Sequence, residues 1–188
     1  MQPGEKIKLQ REEKKLEPVE VAKRAGIDEE RLARIESGEV APALGTLIKL
    51  ARVFGVRPGT FLDDKEDKGV VVTRSGENAP SDQLNVPGSQ MRENLSFSSL
   101  ARQKSDRHMD PFLVEVKPAG EKINQPFSSH EGEEFIYVLN GKVEVKYGKE
   151  THVLSAGDSI YYDSIVDHKV TAIQGENALV LAVVYLPE

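Results

Sequence analysis

The feature that most constrains this chain is a change of hydrophobic period part-way along it. Up to Leu62, apolar residues recur every three or four positions. Leu44, Leu47, Ile48, Ala51 and Phe54 fall on one stripe of a helix that Gly55 ends. From about Val70 onward the period is two. Lys142, Val143, Glu144, Val145, Lys146 and Tyr147 alternate polar and apolar until Gly148 breaks the run, the pattern of a half-buried strand. Further β-rich runs lie at Phe112 to Val116, Glu134 to Leu139, Ser159 to Tyr162 and Leu179 to Leu186, separated by Gly, Asp, Asn and Pro. Short strands at this spacing close into a sandwich or small barrel. The predicted fold class is therefore α+β, an N-terminal all-α domain of five short helices followed by a C-terminal antiparallel β-barrel.

With 188 residues the chain suits two small domains. The charged, aperiodic stretch Asp63 to Asp67 marks the boundary. The division is a helical domain over 1–64, a linker with a long loop and leading strands over 65–110, and a barrel over 111–188. Gly76 to Asn94, rich in Ser, Asn, Pro and Gly, is predicted as the long loop. No internal repeat interrupts this plan.

Absence of cysteine excludes disulfide staples and thiolate metal sites. No apolar run approaches the ~20 residues needed to cross a bilayer, so no membrane partner is expected. The densely charged start, Met1 to Lys15, lacks the apolar core of a secretory signal, and a cytoplasmic location is expected. The net charge of -6 argues against a nucleic-acid partner only as an average. Met1 to Asp64 holds 12 basic and 12 acidic residues, and the remainder holds 13 and 19, so the excess acid lies entirely in the C-terminal part.

Within the helical part, Pro18 stands where a first helical residue belongs, and Val19, Ala22 and Ala25 form an apolar face that stops at Gly26. Asp28 suits the N-cap of the next helix, whose Leu32 and Ile35 point inward before Gly38 closes it. Two short helices joined through Ala25, Gly26 and Ile27 make a helix-turn-helix. Leu16 to Ala22, Ala25 to Ile27, Leu32 to Gly38, Pro42 and Leu47 to Gly55 resemble the helix-turn-helix family of phage-repressor and xenobiotic-response-element type. The resemblance implies that the helix from Asp28 to Ser37 enters the major groove of double-stranded DNA, with Glu29, Glu30, Arg31 and Arg34 at the base edges. Arg31 or Arg34 would pair with guanine O6 and N7, and a glutamate would accept from cytosine N4. The alternative is that the two acids only complement the helix macrodipole on a solvated face.

In the β-rich part, Ser128 to Gly141 contains His130 and Glu134. Along one unbroken strand these would lie ~13 Å apart, too far to share an ion, so Gly132 must turn the chain and bring them together across a hairpin. Gly157 to Ser164 followed by His168 offers a third ligand. Two imidazoles and a carboxylate suit Fe(II) and also accept Zn, Ni or Mn. The alternative is that the three line a pocket as hydrogen-bonding groups contacting an organic ligand. The paired segments resemble the motifs of the cupin superfamily, a jelly-roll barrel, from about Phe112 to Tyr185. Ser128 stands where metal-binding cupins carry a further histidine, and it joins His130, Glu134 and His168 as a ligand-binding candidate. His108 and His152 match neither motif and are expected at the surface or in loops.

The order of the two domains resembles a class of bacterial regulators in which a barrel senses a small-molecule effector and helps the protein form a homodimer or larger homo-oligomer on a palindromic operator. The resemblance thus implies a transcriptional regulator and no enzyme. The second reading is a mononuclear non-heme iron oxygenase resembling the hydroxypropylphosphonate epoxidases, which share the domain order and the His, Glu, His pattern. Lys15 matches a lysine of theirs, whereas Leu95 to Ser98 replace tyrosines placed before the first long strand. An assembly module without ligand has no use for the three polar residues.

Overall fold

The computed structural model describes residues 1–63, 69–75, 95–104, 107–118, 127–173 and 175–187. It divides into two compact units, one built on Met1–Val72 and the other on Arg107–Glu188 with the strand preceding it. Of the charged stretch Asp63 to Asp67 only Asp63 is described, and the expected loop from Gly76 to Asn94 lies outside the described residues.

The first unit holds the five expected helices: α1 (Pro3–Glu13), α2 (Pro18–Ala25), α3 (Glu29–Glu36), α4 (Leu44–Phe54) and α5 (Gly59–Leu62). Ile7, Val21, Leu32, Ile35, Leu47, Leu50, Ala51 and Phe61 are fully shielded from water and form its core, with Phe61 edge-on to Phe54 at 6.1 Å. Such apolar burial is the main force holding short helices together, because none is long enough to be stable alone. On α2 the inward face is Val21, Ala22 and Ala25, while Val19 is 58% exposed. Both sets satisfy a helical period over eight residues. The packing of α2 against α3 and α4 selects between them, so the expected position of Val19 is corrected.

Two contacts fix α3 on α1. A Cβ on Gly4 would stand 2.0 Å from the carbonyl oxygen of Ile35, so only glycine lets α1 approach the C-terminal end of α3 this closely. Arg11 then grips Glu36 with both prongs, Nε to Oε1 at 2.7 Å and Nη2 to Oε2 at 2.8 Å, in a largely buried pair.

Among the described residues the second unit contains eight strands: β1 (Leu95–Ser99), β2 (Met109–Val116), β3 (Glu133–Asn140), β4 (Lys142–Tyr147), β5 (Glu150–Ser155), β6 (Ser159–Asp163), β7 (His168–Ala172) and β8 (Ala178–Tyr185). They form a five-stranded sheet in the order β1-β2-β8-β3-β6 and a three-stranded sheet in the order β5-β4-β7, with every strand pairing antiparallel. The expected barrel is thus realised as two sheets. Phe112, Val114, Val116, Ile136, Val138, Val180 and Val184 from the larger sheet, with Val143 and Val145 from the smaller, make its core. No helix among the described residues is long and apolar enough to cross a membrane.

Candidate functional site

In the helical unit, Asp28 caps α3 by accepting the backbone N–H of Arg31 at 2.6 Å. Leu32 and Ile35 anchor one side of the helix in the core, which directs the first turn outward. Glu29 and Glu30 are exposed there, and Arg31 and Arg34 are half-buried. Arg34 Nε bonds Glu39 Oε1 at 2.9 Å. A solvent-exposed pair of this kind is worth about 0–1 kcal/mol, so the guanidinium can exchange Glu39 for another acceptor at little cost. The four residues singled out in the sequence therefore share one helical turn and its continuation.

The β unit brings His130, Glu134 and His168 together. Their ligand atoms lie within 4.8 Å of one another, and all three residues are buried. His130 Nε2 stands 2.7 Å from Glu134 Oε1, and His168 Nε2 stands 3.5 Å from the same oxygen. The two imidazoles meet edge to face at 5.4 Å and 83°.

Each group is placed by backbone. Glu134 points inward from β3, as the alternation of that strand dictates. His168 opens β7 and exchanges two backbone hydrogen bonds with Ser128, both 2.8 Å. His130 precedes β3, tied through its N–H to the carbonyl of Ser164 at 2.9 Å. The chain does turn at Gly132, where φ is +102°. A Cβ there would also lie 2.0 Å from the carbonyl oxygen of Tyr185 on β8, so no other residue fits. The turn is not a hairpin: His130 lies in the approach to β3, and the partner of β3 on this side is β6, with Glu134 opposite Tyr162.

That register supplies a group to which the sequence assigned no role. Tyr162 is buried and donates its hydroxyl to Glu134 Oε2 at 2.8 Å, while its ring packs 5.1 Å from His168. Both Glu134 oxygens are thereby engaged. Each imidazole is also fixed at its other nitrogen: Nδ1 of His130 lies 3.0 Å from the carbonyl of Glu131, and Nδ1 of His168 lies 2.9 Å from that of Val166. A carbonyl only accepts, so each Nδ1 carries a proton, and each Nε2, turned toward Glu134 Oε1, is the nitrogen open to a ligand once that contact is given up.

The electrostatics follow from this crowding. Burial opposes charge on Glu134, but hydrogen bonds from His130 and His168 outweigh it and hold the carboxyl well below the usual carboxylate range. Burial likewise opposes charge on His168, and its bond to Glu134 outweighs that, raising the imidazole above its ordinary value. Burial first, and the Glu134 charge second, push the Tyr162 phenol far up, so it stays a donor.

The hydroxyls of Ser128 and Ser164 are buried without a hydrogen-bond partner. A hydroxyl left so costs roughly 1–3 kcal/mol, and both belong to residues whose backbones hold the imidazoles, Ser128 that of His168 and Ser164 that of His130. Ser128 was expected at the site from the sequence; Ser164, whose backbone holds His130, was not. His152 is exposed on β5 and bonded to Glu150, and His108 is exposed; neither joins the cluster. Lys15 is exposed in the turn after α1, and Phe97 packs edge-on against Phe112 at 5.7 Å.

Comparison with known proteins divides the chain at the same change of architecture. Residues 7–61 match the family model described as helix-turn-helix, and residues 112–185 match that of the cupin domain. The chain is 28% identical over 195 residues to (S)-2-hydroxypropylphosphonic acid epoxidase of Streptomyces wedmorensis, covering 96% of this chain and 93% of the relative. It is 26% identical over 171 residues to the HTH-type transcriptional regulator PuuR of Escherichia coli (strain K12), covering 88% and 85%. The crystal structure of an HTH_3 family transcriptional regulator from Vibrio cholerae superposes with a TM-score of 0.69 at 23% identity, over 98% of this chain and 95% of the other, a likeness of fold.

Proposed function

We propose that this chain, a helix-turn-helix domain followed by a cupin domain, is a sequence-specific DNA-binding transcriptional regulator whose cupin domain binds a small-molecule effector and supports dimerisation. The observation that carries the reading is α3, capped by Asp28 and anchored by Leu32 and Ile35, which leaves Glu29 and Glu30 exposed with Arg31 and Arg34 half-buried beside them, the positions a recognition helix would turn to bases. Arg34, held only by a surface pair with Glu39, can turn to guanine O6 and N7, and a first-turn glutamate can accept from cytosine N4.

The fit of a divalent ion to the second unit rests on two inward Nε2 atoms, one carboxylate oxygen between them, and Nδ1 protons held by carbonyls. His130, Glu134 and His168 would hold Fe, Zn, Ni or Mn, and the ion would supply charge to fix an anionic or polar ligand. Tyr162 orients Glu134, and the unused hydroxyls of Ser128 and Ser164 would receive polar atoms of the effector. An effector that prefers one arrangement of the dimer shifts the population toward it by that differential affinity, and half-site spacing and operator affinity change together.

One observation favours a second reading, an iron-dependent epoxidase or oxygenase: the 28% identity to the Streptomyces wedmorensis enzyme extends across both domains. Against it, the described partners of the three side chains are one another, Tyr162 and the carbonyls of Glu131 and Val166, with no guanidinium or ammonium group among them for a phosphonate. Selection of bound duplexes from fragmented genomic DNA tests the first reading. It predicts a recovered palindrome with half-sites about 10–10.5 base pairs apart or a multiple of that. Recovery of no sequence above background would remove the regulator assignment.

A further inference from the structure

The five-stranded sheet carries apolar residues in the middle of both faces. In an antiparallel sheet with one face in water, alternate residues should be polar, yet β8 reads Ala-Leu-Val-Leu-Ala-Val-Val-Tyr without a polar residue. Ala178, Val180, Ala182 and Val184 fill the core, which turns Leu179, Leu181, Val183 and Tyr185 to the other side. The strand registers extend that outer face across four strands. Pro111, Val183, Phe135 and Tyr161 make one cross-strand row. Leu113, Leu181 and Tyr137 make the next, which ends in Ser98 on β1 and Ser159 on β6, and on the other side Met109 and Tyr185 share a row with Glu133 and Asp163. Tyr137, Tyr161, Tyr185 and Met109 are 38%, 62%, 39% and 61% exposed.

We infer that this outer face of β2, β8, β3 and β6 is the surface on which a second copy of the chain docks, sheet face to sheet face about a two-fold axis. The assignment rests on the dimeric reading above and names where that dimer forms. Three observations select the occupant. The rows contain no lysine or arginine, so neither DNA phosphate nor an anionic lipid surface finds a counter-charge there. The carboxylates Glu115, Glu133 and Asp163 fall in the flanking rows, so two copies can bring apolar centres together while like charges stay at a solvated rim. Exposed Tyr137, Tyr161, Tyr185 and Met109 gather on this one face, and a contiguous apolar patch of this kind marks an interaction surface. Its Tyr, Phe and Met content is that of an interface centre.

Sedimentation equilibrium on the full chain tests this. The wild-type protein is expected to be dimeric at micromolar concentration. Leu181→Glu and, separately, Tyr137→Glu should each weaken the dimer at least about 100-fold, since either buries an unpaired charge at the centre of the contact. Val153→Glu, at an exposed apolar position on the three-stranded sheet, should leave it unchanged. Circular dichroism on every variant shows that the fold persists, and Tyr161→Glu at the sheet edge replaces any variant that does not fold. A dimer that survives the substitutions on this face overturns the assignment while leaving the dimeric reading intact. A wild-type chain that stays monomeric at all concentrations overturns both.

Discussion

The first turn of α3 and the cluster around Glu134 are built on opposite principles. On the first turn of α3 Glu29 and Glu30 stand in water, and Arg34 one turn on is held by a single exposed partner. Around Glu134 the side chains of His130, Tyr162 and His168 are buried with it, both carboxylate oxygens are taken, and both imidazoles are fixed at two nitrogens. A surface that must read a large external partner leaves its side chains free to rearrange, whereas a site for a small ligand or ion fixes its groups in advance. The contrast predicts unequal responses to mutation, larger around Glu134 and more moderate on α3.

The largest effect is expected from Glu134→Ala. It removes the only carboxylate among the three residues and the acceptor of the Tyr162 hydroxyl, so divalent metal affinity should fall more than about 100-fold. Titration with Mn²⁺ reads this, and full metal occupancy in the variant would remove Glu134 from the site. Arg34→Ala should weaken specific DNA binding by about 1–3 kcal/mol and nonspecific binding much less, because one base-reading guanidinium is lost. Unchanged discrimination between operator and scrambled duplex would show that α3 is not the reading element.

Tyr162→Phe should lower metal affinity about tenfold, with the protein still folded, since it frees one carboxylate oxygen without removing a ligand. Equal affinities in wild type and variant would make Tyr162 a packing residue only. The pH dependence has a definite sign. The raised His168 value means that proton and metal compete for Nε2 as pH falls, so affinity is complete above that value and is lost on passing below it. Metal binding that strengthens on acidification would contradict the assignment. Smallest of all, Asp28→Ala should cost about 1 kcal/mol of stability through loss of the α3 cap, seen as a lower Tm with the DNA preference retained.

The two regions also differ in how far they could be read from sequence. The helix-turn-helix was legible because its signals are local: Pro18 at a helix start, Asp28 at a cap and Gly26 between the helices all act within a few residues. Only the choice of Val21 over Val19 for the inner face of α2 depended on what packs against it. In the β unit, His130, Glu134 and His168 could be singled out by residue type, and the turn at Gly132 could be argued from strand geometry. Tyr162 and Ser164 could not, because their relation to Glu134 and His130 comes from pairing across about 30 positions. β5 and β7 escaped notice for a different reason. Glu150–Ser155 carries almost no buried residue and His168–Ala172 is largely polar, so neither shows the alternation that betrays a strand.

The central claim is tested most directly by fluorescence anisotropy of the purified protein with a labelled duplex from upstream of its own coding sequence and a scrambled duplex of equal length, over a range of salt concentrations. The account predicts tighter binding to the upstream duplex at every salt concentration and loss of that preference in Arg34→Ala. Equal and weak binding to both duplexes, together with oxygen consumption when the iron-loaded protein meets (S)-2-hydroxypropylphosphonic acid, would contradict it.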